Sequence, residues 1–377
     1  MIYFDNAATT PLLPAAVEAA AAAMTGECFG NPSSMHHLGV TASQTVSAAR
    51  KTIASALVCT PEELFFTSGA TESDNTAVFG AAASLGKRKK RIVTTSVEHP
   101  AVAEPCRQLE QRGFEVVRIK PADGVFRADD IVSAVDDNTC LVSCMLVNNE
   151  LGTIIPVAEA FARIKRLHPD TLTHCDAVQA FMKIPFSAKK LGADMISLSG
   201  HKVHAPKGIG ALYIKKGVHI SSLMFGGGQE RGFRSGTESV PMIAAFGAAV
   251  GELSKNTDER LARVKSLSEH LRSRVNAAEG LLTNSPDNGS PYVNSIAAEG
   301  LRSEVLLHFL EDRGIYVSSG SACSKGKKSS VLTEFGVPDR LTDSTLRISF
   351  SALNTADEID KLMDALFEAQ KTLLKVK

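Results

Sequence analysis

The run Met195-Ile196-Ser197-Leu198-Ser199-Gly200-His201-Lys202 reads as a short strand that ends in a turn carrying a lysine. A β-rich stretch this brief, closed by a glycine, fits a strand and is too short for a helix. Working outward, further strands are predicted over 171–175, 141–147, 116–119, 92–95 and 64–67 on the amino-terminal side, and over 211–214 on the other. Helical stretches at 100–112 and 157–167 lie between them. Strands alternating with helices predict an α/β fold whose seven-stranded, mostly parallel sheet is covered on both faces. Open sheets of this kind build their sites at the carboxyl ends of the strands, and Lys202 falls at such an end.

Beyond Gly236 the pattern changes. Residues 240–279 read as one long helical stretch. After it come a strand (293–297), a helix (304–313), a strand (315–317), a strand (346–350) and a terminal helix (356–375), a smaller α/β unit of its own. The expected organisation is a large domain over 15–255 and a small carboxy-terminal domain over 256–377, joined by the segment 1–14. There is no internal repeat.

Composition narrows the function classes. The 41 basic and 41 acidic residues cancel, which offers no basis for a nucleic-acid or membrane partner. Residues 1–6 lack the basic and apolar parts of a signal peptide, and the alanine-rich run 15–23 is too short to cross a bilayer. Seven scattered cysteines without a Cys-x-x-Cys pair speak against a disulfide framework or a four-cysteine zinc site. A reducing cytoplasm is the expected location.

Five stretches carry chemistry. Ser199-Gly200-His201-Lys202 offers a lysine for Schiff-base work, although such a motif also occurs as an ordinary surface loop. Thr67-Ser68-Gly69-Ala70-Thr71-Glu72-Ser73 joins a strand to a helix, so the free N–H groups at its start form an anion site, or Thr71 simply caps its own helix. In His174-Cys175-Asp176-Ala177-Val178-Gln179, Asp176 is either a buried carboxylate for a protonated ring nitrogen or a helix cap. His99, in Glu98-His99-Pro100, is either a proton carrier stacked on a planar ring or a loop residue before a helix-starting proline. Cys323 stands in Ser319-Gly320-Ser321-Ala322-Cys323-Ser324-Lys325-Gly326-Lys327-Lys328, where three lysines favour the thiolate and nothing large or apolar follows to bury it. That composition predicts an exposed, mobile loop. Cys140 and Cys144, set in an apolar strand, read as inert.

In this order the motifs resemble those of the NifS/IscS-type cysteine desulfurases, in the class V aminotransferase group of fold-type I pyridoxal-phosphate (PLP) enzymes. The likeness spans nearly the whole chain, from Phe4-Asp5-Asn6-Ala7-Ala8-Thr9-Thr10 and Gly30-Asn31-Pro32 through Val147-Asn148-Asn149-Glu150 and Arg234-Ser235-Gly236-Thr237 to Leu346-Arg347. The resemblance implies PLP held covalently by Lys202, with Asp176 at the ring nitrogen, Gln179 at the ring hydroxyl and His99 stacked on the ring. Ala70, Thr71, Ser199 and His201 would hold the phosphate, together with Thr237 of a partner subunit, which implies a homodimer with shared active sites. Asn149 would serve both cofactor and substrate. Arg347 and Asn31 would bind L-cysteine beside it, Arg347 through its planar fork. Cys323 would take the sulfur as a persulfide, and Lys202, His99 and Cys323 would be the catalytic residues.

No metal is expected for catalysis, with Cys323 as a transient iron–sulfur ligand. The sulfur acceptor would be an iron–sulfur scaffold or a tRNA-thiolation enzyme. Departures from the commonest family pattern are Val178, Met35 and a short, lysine-rich stretch after Cys323, where acceptor docking would be decided. The alternatives are another class V activity (selenocysteine lyase or aminotransferase) and a sulfur carrier that works without PLP.

Overall fold

The computed structural model describes residues 1–319 and 329–374. Its main sheet has seven strands in the spatial order Leu64–Thr67, Gly210–Ile214, Met195–Ser199, Leu172–Asp176, Thr139–Met145, Arg91–Thr95, Glu115–Ile119. Every neighbouring pair is parallel except the two made by Gly210–Ile214, which runs against the other six. The expected seven strands are all present, displaced by no more than two residues. Central strands such as Thr139–Met145 and Met195–Ser199 are buried along their whole length, as strands covered on both faces must be. The edge strand Glu115–Ile119 instead exposes Glu115 and Arg118 to water, which blunts an otherwise open edge.

Two apolar layers flank this sheet. Ala70–Leu85 and Pro100–Gln111 pack Ala77, Ala81, Val102 and Cys106 on one face, against Ile92, Leu141 and Met195. On the other face His37–Leu57, Val157–Leu167 and Val240–Ser254 cover Val142, Cys144, Ile196 and Leu198. The third cluster centres on a four-stranded antiparallel sheet in the order Ser318–Ser319, Thr345–Ser349, Val293–Ala298, Leu281–Thr283. Helices Thr257–Asn276, Ser303–Glu311 and Ala356–Thr372 pack on it. Phe4 belongs to this cluster, because the strand Ile2–Tyr3 pairs with Ile315–Tyr316.

The single helical stretch expected over 240–279 is two helices, Val240–Ser254 and Thr257–Asn276. Asn256 breaks it with non-helical angles (φ −135°, ψ 45°). The reason lies in packing. Ile243, Phe246 and Val250 bury into the main-sheet cluster, whereas Val264, Leu271 and Val275 bury into the other. One straight helix cannot present its apolar face to both. No helix among the described residues is long and apolar enough to cross a membrane.

Candidate active site

The carboxyl edge of the main sheet gathers the turns that follow Thr67, Thr95, Met145, Asp176 and Ser199. Register ties two of them together, since Gly210 is paired with both Thr67 and Ser199. A Cβ on Gly210 would sit 2.7 Å from Gly69 Cα and 2.6 Å from the Leu198 carbonyl oxygen, so only a glycine lets the 68–71 and 200–202 turns converge.

Lys202 ends the short helical turn Gly200–Lys202, and its Nζ donates to the carbonyls of Ala7 (2.6 Å) and Ala8 (2.7 Å). His201 lies 3.2 Å from the Thr9 hydroxyl, and burial together with Lys202 pushes its imidazole down to about 4. Ser199 is buried at the end of its strand. Ala70 and Thr71 open the helix Ala70–Leu85, whose cap residue is Gly69 and which no side chain among the described residues caps, so Thr71 does not cap its own helix. A Cβ on Gly69 would meet nothing within 4 Å, so there is open space before uncapped N–H groups. That arrangement suits a phosphate.

Asp176 is the last residue of its strand and accepts the Val178 N–H at 2.9 Å. Burial raises its carboxyl, opposed by that N–H and by the charges of His99 and Lys202. Two more carboxyls, Asp74 and Glu98, are buried in the same region. Burial pushes Glu98 up to about 8, despite bonds from the Thr95 hydroxyl (2.6 Å) and the Met145 N–H (2.9 Å). Burial, and then Asp176, raises Asp74 well above the carboxylate range. His174, fully buried between Ser143 (2.8 Å) and Ser197 (2.9 Å), is pushed down to about 3. Of the three carboxyls, Asp176 is the one whose negative charge Lys202 and His99 support, so the negative charge settles there.

Gln179 donates through Nε2 to the Ala7 carbonyl (2.9 Å) and accepts from Lys183 Nζ through Oε1 (2.7 Å). His99 caps the helix Pro100–Gln111, with Nδ1 accepting the Ala101 N–H at 3.2 Å. Burial lowers its pKa and Asp176 draws it back up. Arg347 is buried, paired with Asp5 at 3.0 Å and bonded to the Asn149 carbonyl at 3.0 Å, while its Nε has no partner among the described residues. Asn149 sits on a turn that Asn148 braces by accepting the N–H groups of Glu150 and Leu151, both at 2.9 Å.

Asn31 is exposed and uses its side-chain oxygen on the Ser33 N–H at 2.9 Å, within its own turn, so no bond brings it to the other residues. Thr237 is exposed just past Arg234, which pairs with Glu72 at 2.8 Å on the first turn of the Ala70 helix. Cys323 lies outside the described residues. Among those described, no group of three or more His, Cys, Asp or Glu residues could hold a metal ion.

Two parts of the site have no role assigned to them by the sequence. One is the wall built by residues 5–10: Asp5 holds Arg347, Ala7 and Ala8 hold Lys202, and Thr9 and Thr10 hold His201. The other is Lys183. Its one visible signal is a charge inside the apolar run Ala180-Phe181-Met182-Lys183-Ile184-Pro185-Phe186.

A profile of the family described as aminotransferase class-V matches residues 2–362. Cysteine desulfurase IscS of Methanosarcina thermophila is 40% identical over 385 aligned residues, covering 99% of this chain and 92% of its own length. Cysteine desulfurase IscS of Vibrio atlanticus is 41% identical over 373, covering 95% and 90%. A solved structure named NifS-like protein superposes with a TM-score of 0.93 at 38% identity, covering 99% of this chain and all of that one. The chain belongs to the class-V aminotransferase family, a family of PLP-dependent enzymes. Within it, the relatives matched here at about 40% identity carry the name cysteine desulfurase.

Proposed function

We propose that the protein is a PLP-dependent cysteine desulfurase, taking sulfur from L-cysteine to give L-alanine and a persulfide on Cys323. The observation that carries this reading is the meeting, at one sheet edge, of the Lys202 amine, the buried Asp176 carboxylate and the uncapped start of the Ala70 helix. These fit PLP by charge: an anion site for its phosphate, a carboxylate for its ring nitrogen and an amine for its aldehyde. When bound, PLP supplies an electron sink for charge released at the substrate α-carbon.

The chain's own residues do the rest. The N–H groups of Ala70 and Thr71, with Ser199 and His201, would hold the phosphate. Asp176 would keep the ring nitrogen protonated, Gln179 would serve the ring hydroxyl and His99 would cover the ring. Arg347, beside Asn149, binds the substrate carboxylate. Lys202 would hold the cofactor and move the α-proton. The Cys323 thiolate forms a bond to the substrate sulfur. The carbon–sulfur bond breaks with its electrons left on carbon, which is protonated to L-alanine.

The same reading includes a homodimer in which Thr237 completes the partner's phosphate site, a cytoplasmic location, and an iron–sulfur scaffold or tRNA-thiolation enzyme as acceptor. The large (15–255) and small (256–377) domains would then meet near the helix break at Asn256.

With L-cysteine and a reducing thiol, the purified protein is expected to be yellow and to release alanine and sulfide in equal amounts. Lys202→Ala should be colourless and inactive. Cys323→Ala should keep the colour and release almost no sulfide. Sulfide release at the wild-type rate from Cys323→Ala would rule out the persulfide route.

A further inference from the structure

Lys183 is only 7% exposed, and its amine bonds to an amide rather than to a carboxylate. Burying a cation without a counter-ion is costly. The turn that carries it is strained as well. Met182, just before it, has φ 58°, a left-handed conformation that an unbranched apolar side chain gains nothing from. His204, two residues past Lys202, is held similarly at φ 61°. Met182, Lys183, Lys202 and His204 all line one cavity of about 190 Å³. Strained turns thus lie on both sides of this cavity, into which two lysines reach.

Three hydrogen bonds connect the two lysines. Lys183 Nζ donates to Gln179 Oε1 (2.7 Å), Gln179 Nε2 donates to the Ala7 carbonyl (2.9 Å), and the same carbonyl accepts from Lys202 Nζ (2.6 Å). The Ala7 carbonyl can only accept, and a protonated Lys183 can only donate. Between them they admit one orientation of the Gln179 amide. Without Lys183, Oε1 would be a buried acceptor lacking its donor, and the amide would be free to turn.

We propose that Lys183 is a positioning residue for Lys202: it locks the Gln179 amide, and through it holds the Ala7 carbonyl on which the Lys202 amine rests. The inference deepens the reading of Lys202 as the cofactor-bearing lysine and rests on it. Its chemical consequence is electrostatic. Two ammonium groups in one poorly solvated cavity disfavour each other, so Lys183, while it holds its proton, favours the neutral, nucleophilic amine of Lys202. The charged groups facing Lys183 are mostly cationic, namely Lys202, Arg347 and Arg260, with Glu252 across the cavity, while His201 and His204, both pushed down to about 4, face it uncharged. Burial, then Lys202 and Arg347, pulls the Lys183 amine down to about 7, the response of a group held in that company.

Lys183→Met and Lys183→Arg test this on the full chain. In the PLP-loaded protein, the pH midpoint of the visible-band change should rise by about one unit in Lys183→Met and return to the wild-type value in Lys183→Arg. In the cofactor-free chain, hydrogen exchange over residues 5–10 should quicken by about tenfold in Lys183→Met and stay slow in Lys183→Arg. Should Lys183→Met fail to fold, Gln179→Met cuts the same chain one bond later and should quicken exchange over residues 5–10 of the cofactor-free chain to the same degree. No change in either observable overturns the proposal. So do equal changes in the Met and Arg variants, which would mean that Lys183 only fills space. A wild-type protein that takes up no PLP would overturn the reading of Lys202, while the exchange comparison would still decide whether Lys183 holds the Ala7 turn.

Discussion

Glu98 shows how one buried group can set the pH behaviour of this molecule. Its carboxyl titrates near 4.5 in the unfolded chain and at about 8 in the fold, with burial as the main cause. Between those values the unfolded chain has given up a proton that the folded chain keeps. The stability associated with the neutral form is therefore complete below pH 4.5 and is lost as the pH climbs to about 8. Glu98→Gln removes the titration and keeps an oxygen for the Thr95 and Met145 bonds. In urea unfolding of the cofactor-free protein, this variant should gain roughly 3–4 kcal/mol on the wild type between pH 5 and pH 8. A constant gap across that window would mean that Glu98 is ionised in the fold. The sequence made Lys202 and Asp176 legible, because each stands where a strand gives way to a turn. It hid the burial of Asp74, Glu98 and Lys183. That burial is imposed by elements far apart in the chain, and no local period encodes it.

The strands and the turns between them carry most of the geometry. Gly210 belongs to the one antiparallel strand of the main sheet, wedged between Thr67 and Ser199. Its φ is not positive, so an alanine there is acceptable to the backbone, and any effect is steric. The new Cβ would meet the Gly69 backbone at 2.7 Å and the Leu198 oxygen at 2.6 Å, neither of which can swing aside as a side chain would. Gly210→Ala should cost about 1–3 kcal/mol of stability. It should also weaken PLP binding by about tenfold or more, because the 68–71 and 200–202 turns would be pushed apart. Melting with and without PLP separates the two effects, and unchanged PLP binding would show that the phosphate does not need both turns. Element type was legible across the main sheet because buried parallel strands read as short apolar runs between helices. The strands Ile2–Tyr3, Leu281–Thr283 and Ser318–Ser319 were not, since two or three residues hold no period. The break at Asn256 was also hidden, because helical periodicity continues across it and only the change of core beneath the two helices demands it.

At the scale of the whole molecule, the rim of the site presents apolar surface to water. Leu223, Met224 and Phe225 follow one another and are all exposed, Phe225 at 86%. Single exposed apolar residues are ordinary, but three together at a site's edge suit a covered surface. The segment is tied to the site through a bridge between Met224 and Arg234, and Arg234 in turn holds Glu72 on the helix proposed to carry the phosphate. A second copy covering Phe225 would approach that helix from outside, where an exposed Thr237 could meet the partner's phosphate. This gives the proposed homodimer a physical reason: each copy would hide the other's apolar rim and complete its anion site. Sedimentation should then return a mass of about twice the 40.0 kDa chain. Phe225→Asp places a charge on the covered surface. It should move the protein toward 40.0 kDa and loosen PLP binding by about tenfold, although Phe225 lies outside the chain's own set of proposed cofactor contacts. A Phe225→Asp monomer that binds PLP as tightly as the wild type would instead mean that one chain builds the whole phosphate site, and Thr237 would lose its proposed role.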